Sequence, residues 1–409
     1  MMNLAEYRNS ATRLADFLPW AALVAPGIVL NKDGSFQRTA RFRGPDLDSA
    51  VPAELVGVAG RLNNVLRRLG SGWALFVEAQ RQPASIYPEG RFPDAASALV
   101  DAERKAAFEE EGTHYESAYY LTFLYLPPAW ESAGAERYLY EGRNRAAGAD
   151  ALEILAGFID RTDRVLQLLD GFMPESHWLD DGATLTYLHS CISTRRQRVR
   201  VPEVPMYLDG LLADQPLTGG LEPKLGDCHL RVLTIVGFPG TTTPGLLDEL
   251  NRLAFAYRWS TRAILLDKTD ATRLLTRIRR QWFAKRKSIA AILKEVMTNE
   301  ASTLVDTDAH NKAIDADAAL QELGSDAVGA AYCTVTVTVW DDDPRVADER
   351  LRLVEKVIQG RDFTCMVEKV NAVDAWLGSL PGHAYANVRQ PPVSTLNLAH
   401  MIPLSAVWA

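Results

Sequence analysis

The chain has 409 residues, 47% of them hydrophobic and 23% charged, which sets aside a disordered polymer, a collagen-like repeat and a disulfide scaffold. Its formal net charge of −8 is a poor basis for non-specific nucleic-acid binding, because phosphate contacts need clustered Lys and Arg. Cys191, Cys228, Cys333 and Cys365 are far apart, so neither a zinc cluster nor a disulfide framework is expected, and isolated thiols fit a reducing cytoplasm.

The N-terminus lacks a basic region followed by an apolar one, so no signal peptide is read. The longest apolar stretch, Phe17–Leu30, has 14 residues and is broken by Pro19, Pro26 and Gly27, too short to span a membrane. It reads as a loop and a buried strand, or as a segment that docks on a membrane protein. Two strands are expected in Gly27–Arg43 around the turn Asn31–Gly34, where Asp-Gly separates apolar runs. Pro52–Leu69 has helical spacing, Trp73–Gln80 alternates as a strand, Asp94–Glu111 reads as a charged helix and Ala118–Leu126 as a strand. Ala149–Phe172 is a further amphipathic helix, and Leu185–Ser193 is a helix or a strand.

After the proline-bearing passage Val199–Pro205 a second series begins. Leu230–Val236 reads as a strand, Thr243-Pro244 as the start of a helix, and Arg262–Leu266 as a strand. Two helices follow, Asp270–Val296 and Thr307–Leu323, then the strand Tyr332–Trp340, the helix Arg345–Gln359 and the strand Thr364–Val370. The expectation is an α+β protein of two mixed sheet and helix subdomains, 1–198 and 199–388. The second is expected to be ferredoxin-like with an inserted helical hairpin, and 389–409 a linker.

Chemistry-bearing motifs are few. Val236–Gly245 lies between a strand and a helix as a phosphate loop would, but it has no Lys, and GxxxxGK[ST] matches nowhere in the chain. Asp341-Asp342-Asp343 ends a strand and resembles the acidic end of a Walker B strand, though solvated acids ahead of a helix explain it as well. No HxxxH, HExxH or GxSxG pattern occurs, so no catalytic residue, metal ligand or cofactor residue is assigned. Charge is more telling. Arg262–Lys294 holds ten basic residues against Asp267 and Asp270, while Glu300–Asp326 holds seven acids and one base, Lys312. An antiparallel hairpin with facing charges accounts for this, and a basic face for a partner or anionic lipid is the other reading.

Several passages carry a resemblance: NKDG at Asn31–Gly34, RLGSGWALFVEA at Arg68–Ala79, VPMYL at Val204–Leu208 and YRWS at Tyr257–Ser260. The most specific is AWLGSLPGHAYAN at Ala375–Asn387, followed by Arg389-Gln390-Pro391-Pro392 and Thr395–Trp408. In this order they resemble the N-terminal region of TrbE-type proteins in the VirB/TrbE/CagE family of conjugative type IV secretion ATPases. The resemblance implies a non-catalytic interaction and oligomerisation region, with ATP and magnesium held by a C-terminal domain beyond this chain. It implies sister subunits in a hexamer, other secretion ATPases, a small polytopic inner-membrane protein and a bitopic inner-membrane scaffold as partners. It also implies a cytoplasmic, peripheral location on the bacterial inner membrane. The residues themselves suggest two docking surfaces, the apolar stretch Phe17, Leu18, Trp20 and Leu23, and the basic face Arg273, Arg277, Arg280 and Lys287. A stand-alone enzyme with an unrecognised site and a DNA-binding module are the alternatives. With no phosphate-loop Lys to meet a triphosphate, isothermal titration of the chain with Mg-ATP is expected to show no micromolar binding; such binding would defeat the interaction-region expectation.

Overall fold

A computed structural model describes residues 13–84, 87, 89–110, 114–127, 145–285, 307–387 and 389–404. Runs rich in Val, Thr and aromatic residues form the strands expected of them. In the first half β1 (Trp20–Ala25), β2 (Ile28–Asn31), β3 (Phe36–Arg43), β4 (Trp73–Ala84), β5 (His114–Tyr125) and β6 (Glu175–Trp178) accompany four longer helices. These are α2 (Pro52–Leu66), α3 (Ala95–Glu110), α4 (Arg145–Asp170) and α5 (Asp181–Ile192), with the short α1 (Leu14–Phe17) ahead of them. The second half holds α6 (Leu208–Leu212), β7 (Leu217–Thr218), β8 (Lys224–Leu225), β9 (Cys228–Gly237), β10 (Tyr257–Leu266), α7 (Lys268–Lys285) and α8 (Thr307–Gly324). It continues with β11 (Ala330–Asp341), α9 (Pro344–Gln359), β12 (Thr364–Glu368), α10 (Ala372–Leu377), β13 (Pro392–Ser394) and α11 (Thr395–Met401).

The fold is α+β, and among the described residues both strand series lie in one sheet of thirteen strands. Its main path runs β1-β2-β3-β5-β4-β10-β11-β9-β8-β7, with β6 on β3, β12 on β9 and β13 on β11, every pairing antiparallel. The seam between the halves is the β4–β10 pair, in register from Tyr257 opposite Arg81 to Ile264 opposite Ala74. The positions 198/199 thus divide the chain in order, while the two halves share a sheet and a core. Within each half four strands take the same spatial order, β6-β3-β5-β4 and β12-β9-β11-β10. The second half departs from the ferredoxin-like expectation between β9 and β10. Thr243-Pro244 opens no α-helix there, and only a 3-10 turn forms over Asp248–Arg252. Pro239, Gly240 and Pro244 oppose a helix, and Gly245 sits at φ +74°, a conformation that ends one.

The sheet has an apolar face and a polar one. On the first, Leu75, Val77, Trp259, Ala263, Val335 and Val337 join the main core with Leu62 and Val65 of α2, Phe158 and Leu169 of α4, and Val354 of α9. The opposite face carries Glu78, Gln80, Arg258, Ser260, Arg262, Thr334, Thr336 and Thr338, all buried. A second apolar cluster, built on α5, α10 and the N-terminal segment, includes Leu188, Trp376 and Leu380.

Burying a polar face demands partners for it. Glu78 and Arg258 supply most of them. The guanidinium donates from Nε to Glu78 Oε1 at 2.6 Å and from Nη2 to Oε2 at 3.0 Å, and Nη1 donates to the Cys191 carbonyl at 3.0 Å. The Tyr187 hydroxyl and the Gln80 amide also donate to the carboxylate, each at 3.0 Å. Glu78→Ala strands an enclosed cation and is expected to cost about 3–5 kcal/mol in urea unfolding, whereas the double change Glu78→Leu with Arg258→Met recovers most of that loss. A single-mutant cost indistinguishable from zero would remove this pair from the account of the seam.

Candidate functional site: a basic helix face and a buried arginine strap

Three of the passages that carry the family resemblance converge in space. Glu78 comes from GWALFVEA in β4, Arg258 and Ser260 from YRWS in β10, and Ser379 from LGSLPG after α10. The Ser379 carbonyl accepts from Ser260 Oγ at 3.0 Å and from Arg258 Nη2 at 3.4 Å. Next along β10, Arg262 is 1% exposed and pairs with no carboxylate among the described residues. Its guanidinium donates instead to the carbonyls of His383 (3.2 Å), Ala386 and Asn387 (3.1 Å) and to Thr334 Oγ1 (3.1 Å). Burial pulls its pKa down to about 10, which leaves it a cation at neutral pH. Arg262 therefore straps residues 383–387 across the polar face. The strap needs two glycines. A Cβ on Gly378 would meet the Ala386 carbonyl and Asn387, and Gly382, at φ +89°, lies against Gln37 and Asn31.

The apolar docking candidate is corrected by this packing. Leu18 and Trp20 are interior, 1% and 0% exposed, and the Trp20 indole donates to the Pro381 carbonyl at 2.8 Å. Phe17 and Leu23 are half-buried against the same cluster. Trp20–Ala25 pairs with β2, and Trp20 and Leu23 join the cluster that holds residues of α5 and α10.

The basic candidate is placed differently. α7 packs on α8 as an antiparallel pair, and Arg279 meets Asp317 at 2.8 Å while Lys268 meets Asp326 at 2.6 Å. The facing-charge expectation holds for these residues. Arg273, Arg277 and Arg280 lie on an exposed face with Thr269, Thr272 and Thr276. Arg273 pairs with Asp270 at 2.7 Å, and Arg277 and Arg280 have no ion-pair partner among the described residues. Lys287 lies outside the described residues. Another exposed group falls in the proline-bearing passage, where Val201, Val204, Met206 and Tyr207 are all exposed, Val204 by 71%. The sequence marks VPMYL only by resemblance; four bulky apolar residues interspersed with Pro202 and Pro205 ahead of a short helix are the signal for it.

The acidic strand end has a structural role. Asp343 caps α9 by accepting from the Arg345 amide at 2.8 Å, and Asp341 pairs with Arg350 at 2.7 Å. No cluster of potential metal ligands occurs among the described residues.

Comparison with known proteins gives these parts a family. Residues 27–133 match the N-terminal domain of the type IV secretion system ATPase VirB4/TrbE. Residues 179–389 match the CagE, TrbE, VirB family, a component of type IV transporter systems. The chain belongs to the CagE, TrbE, VirB family. It is 33% identical over its whole length to "Conjugal transfer protein TrbE" of Rhizobium radiobacter, of which it covers 51%. A short probable conjugal transfer protein TrbE of Sinorhizobium fredii is 40% identical over 35% of the chain, which covers 98% of that protein. "Type IV secretion system protein virB4" of Brucella suis is 22% identical over 97% of the chain. The chain thus spans about half the length of the full-size relatives it matches.

One buried acid lies outside both surfaces. Asp248, in the 3-10 turn, is 5% exposed and neither carboxylate oxygen makes a hydrogen bond. Burial, aided by the nearby Asp48 carboxylate, pushes its pKa from 3.8 up to about 7. A raised folded-state pKa means the proton is held more tightly in the folded chain. The contribution is full below about pH 4 and is lost as pH rises through 7, by as much as about 4 kcal/mol. Urea midpoints are therefore expected to fall between about pH 5 and about pH 8, and Asp248→Asn to flatten that fall.

Proposed function

We propose that this chain is the non-catalytic interaction and oligomerisation region of a conjugative type IV secretion ATPase. It docks the motor on the inner-membrane transport channel during DNA or protein transfer. The observation that carries this reading is the exposed arginine face of α7, whose Arg277 and Arg280 are free of ion pairs among the described residues, in a chain of this family. Other charged groups are engaged within the fold. Glu78, Arg258 and Arg262 hold the polar face, and Asp341 and Asp343 serve α9. The α7 face turns outward, as do the apolar residues Val201, Val204, Met206 and Tyr207.

The partners proposed are those that the family resemblance implies. Sister subunits in a hexamer, other secretion ATPases, a polytopic inner-membrane protein and a bitopic scaffold are the proposed contacts. No helix among the described residues is long and apolar enough to cross a membrane, so attachment to the inner face of the inner membrane would run through these partners. ATP and magnesium would be the business of a motor domain in the longer relatives, with no cofactor held here.

Buried apolar contacts set affinity, and rim charges set encounter rate and specificity. Reversing Arg277 and Arg280 to Glu is expected to slow association with the membrane partner about tenfold at low ionic strength and much less at high salt. Association kinetics at two ionic strengths measure this. A folded double variant that associates like wild type at both would remove the α7 face from the docking surface.

A further inference from the structure

Four strand ends and the 3-10 turn meet around a cavity of about 440 Å³. This volume is in the range of small-molecule sites. Arg41 and Arg43 close β3, Arg81 lies near the end of β4, Ser117 lies in β5, and Asn251 enters from the turn. Glu116 and Glu175 also line the cavity, so three arginines against two glutamates leave a net charge of +1 with His177 neutral.

Asn251 is 6% exposed, and its Oδ1 accepts from Ser117 Oγ at 3.0 Å and from the Tyr257 hydroxyl at 3.3 Å. With the amide carbonyl filled, Nδ2 faces the Tyr119 hydroxyl but falls outside hydrogen-bond geometry. An enclosed N–H without an acceptor is a costly arrangement that a ligand oxygen would relieve. Arg81 donates from Nε to the Leu253 carbonyl at 2.5 Å and from Nη1 to Ser117 Oγ at 3.3 Å. Among the described residues its Nη2 makes no hydrogen bond and no carboxylate pairs with it. Burial pulls its pKa below the ordinary arginine value, as expected of a guanidinium lacking a counter-ion. Arg41 is exposed and likewise has no ion-pair partner among the described residues.

These groups are all donors, and two of them are planar cations able to fork onto oxygens. A cation would be repelled, and a neutral carbonyl would satisfy Asn251 while leaving both arginines unmatched. We propose that this cavity binds a phosphate group, with Arg41 and Arg81 on its oxygens and Asn251 Nδ2 as the third donor. The cavity is larger than one phosphate group needs, so the group is carried by a small organic molecule or by a lipid headgroup. The site uses none of the docking residues and stands or falls separately from the docking role.

The test is titration of the full chain with pyrophosphate and inorganic phosphate, and sedimentation with phosphatidylglycerol vesicles. Saturable binding is expected, weakened at least about tenfold in Arg41→Gln and in Arg81→Gln but unchanged in the surface control Arg164→Gln. Thermal unfolding shows whether each variant is folded, and Arg41→Gln, at an exposed position, keeps the test open should Arg81→Gln fail to fold. Binding of soluble phosphates points to a small organic phosphate, and binding confined to vesicles and lost in the same variants points to a headgroup. No binding in either arm, or binding that Arg41→Gln leaves unchanged, overturns the proposal.

Discussion

The pairing of β4 with β10 is the constraint on which the rest of the structure depends. It joins two strand series into one sheet, and it does so with a carboxylate and a guanidinium on the face turned away from the main core. An ion pair taken out of water returns little net stability unless its remaining donors and acceptors are met. Here Tyr187 and Gln80 fill the carboxylate, and the Cys191 and Ser379 carbonyls fill the guanidinium. Each of those residues belongs to a segment that covers the sheet or to the sheet itself. The pair therefore fixes the position of α5 and of the turn after α10 as well as the register of two strands.

Much of this is legible in the sequence, element by element. The alternation of Tyr332–Trp340, the helical spacing of Arg345–Gln359 and the Asp-Gly turn at 33–34 all become the elements they predict. Local periodicity is set by backbone geometry, so it survives without knowledge of neighbours. Pairing between distant strands is not local. Nothing in Trp73–Gln80 indicates that its partner is Tyr257–Leu266, and the sequence marks that strand only from Arg262 onward because Arg258 and Ser260 look like loop residues. They are polar because that face of the sheet is polar. The same blind spot puts Trp20 on a surface: an apolar run ahead of a hairpin reads alike whether it covers a core or a partner.

Legibility of the site follows the same division. The charge asymmetry of α7 and α8 is visible, since opposite charges crowd successive stretches of chain, and Arg279 with Asp317 shows where some of it is spent. Which arginines remain outward depends on helix phase and on α8, and only the packed pair separates Arg277 and Arg280 from Arg279. The motif residues Glu78, Arg258 and Gly378 stand out by their order along the chain, with no chemistry to explain them. Their explanation is the strap over the polar face. The cluster around Asn251 has no sequence signal, because it gathers residues from four strands and a turn.

The antiparallel seam also has a mechanical meaning. Its hydrogen bonds run across β4 and β10, from the end near Arg81 to the end near Ala74. A load directed along the strands is shared by the whole ladder at once, while a load directed across them reaches the bonds one after another, as in a zipper. The sheet is therefore stiff in one direction and weak in the perpendicular one. Because the Arg258–Glu78 pair bridges the two strands themselves, it reinforces the weak direction, where the backbone alone would part first.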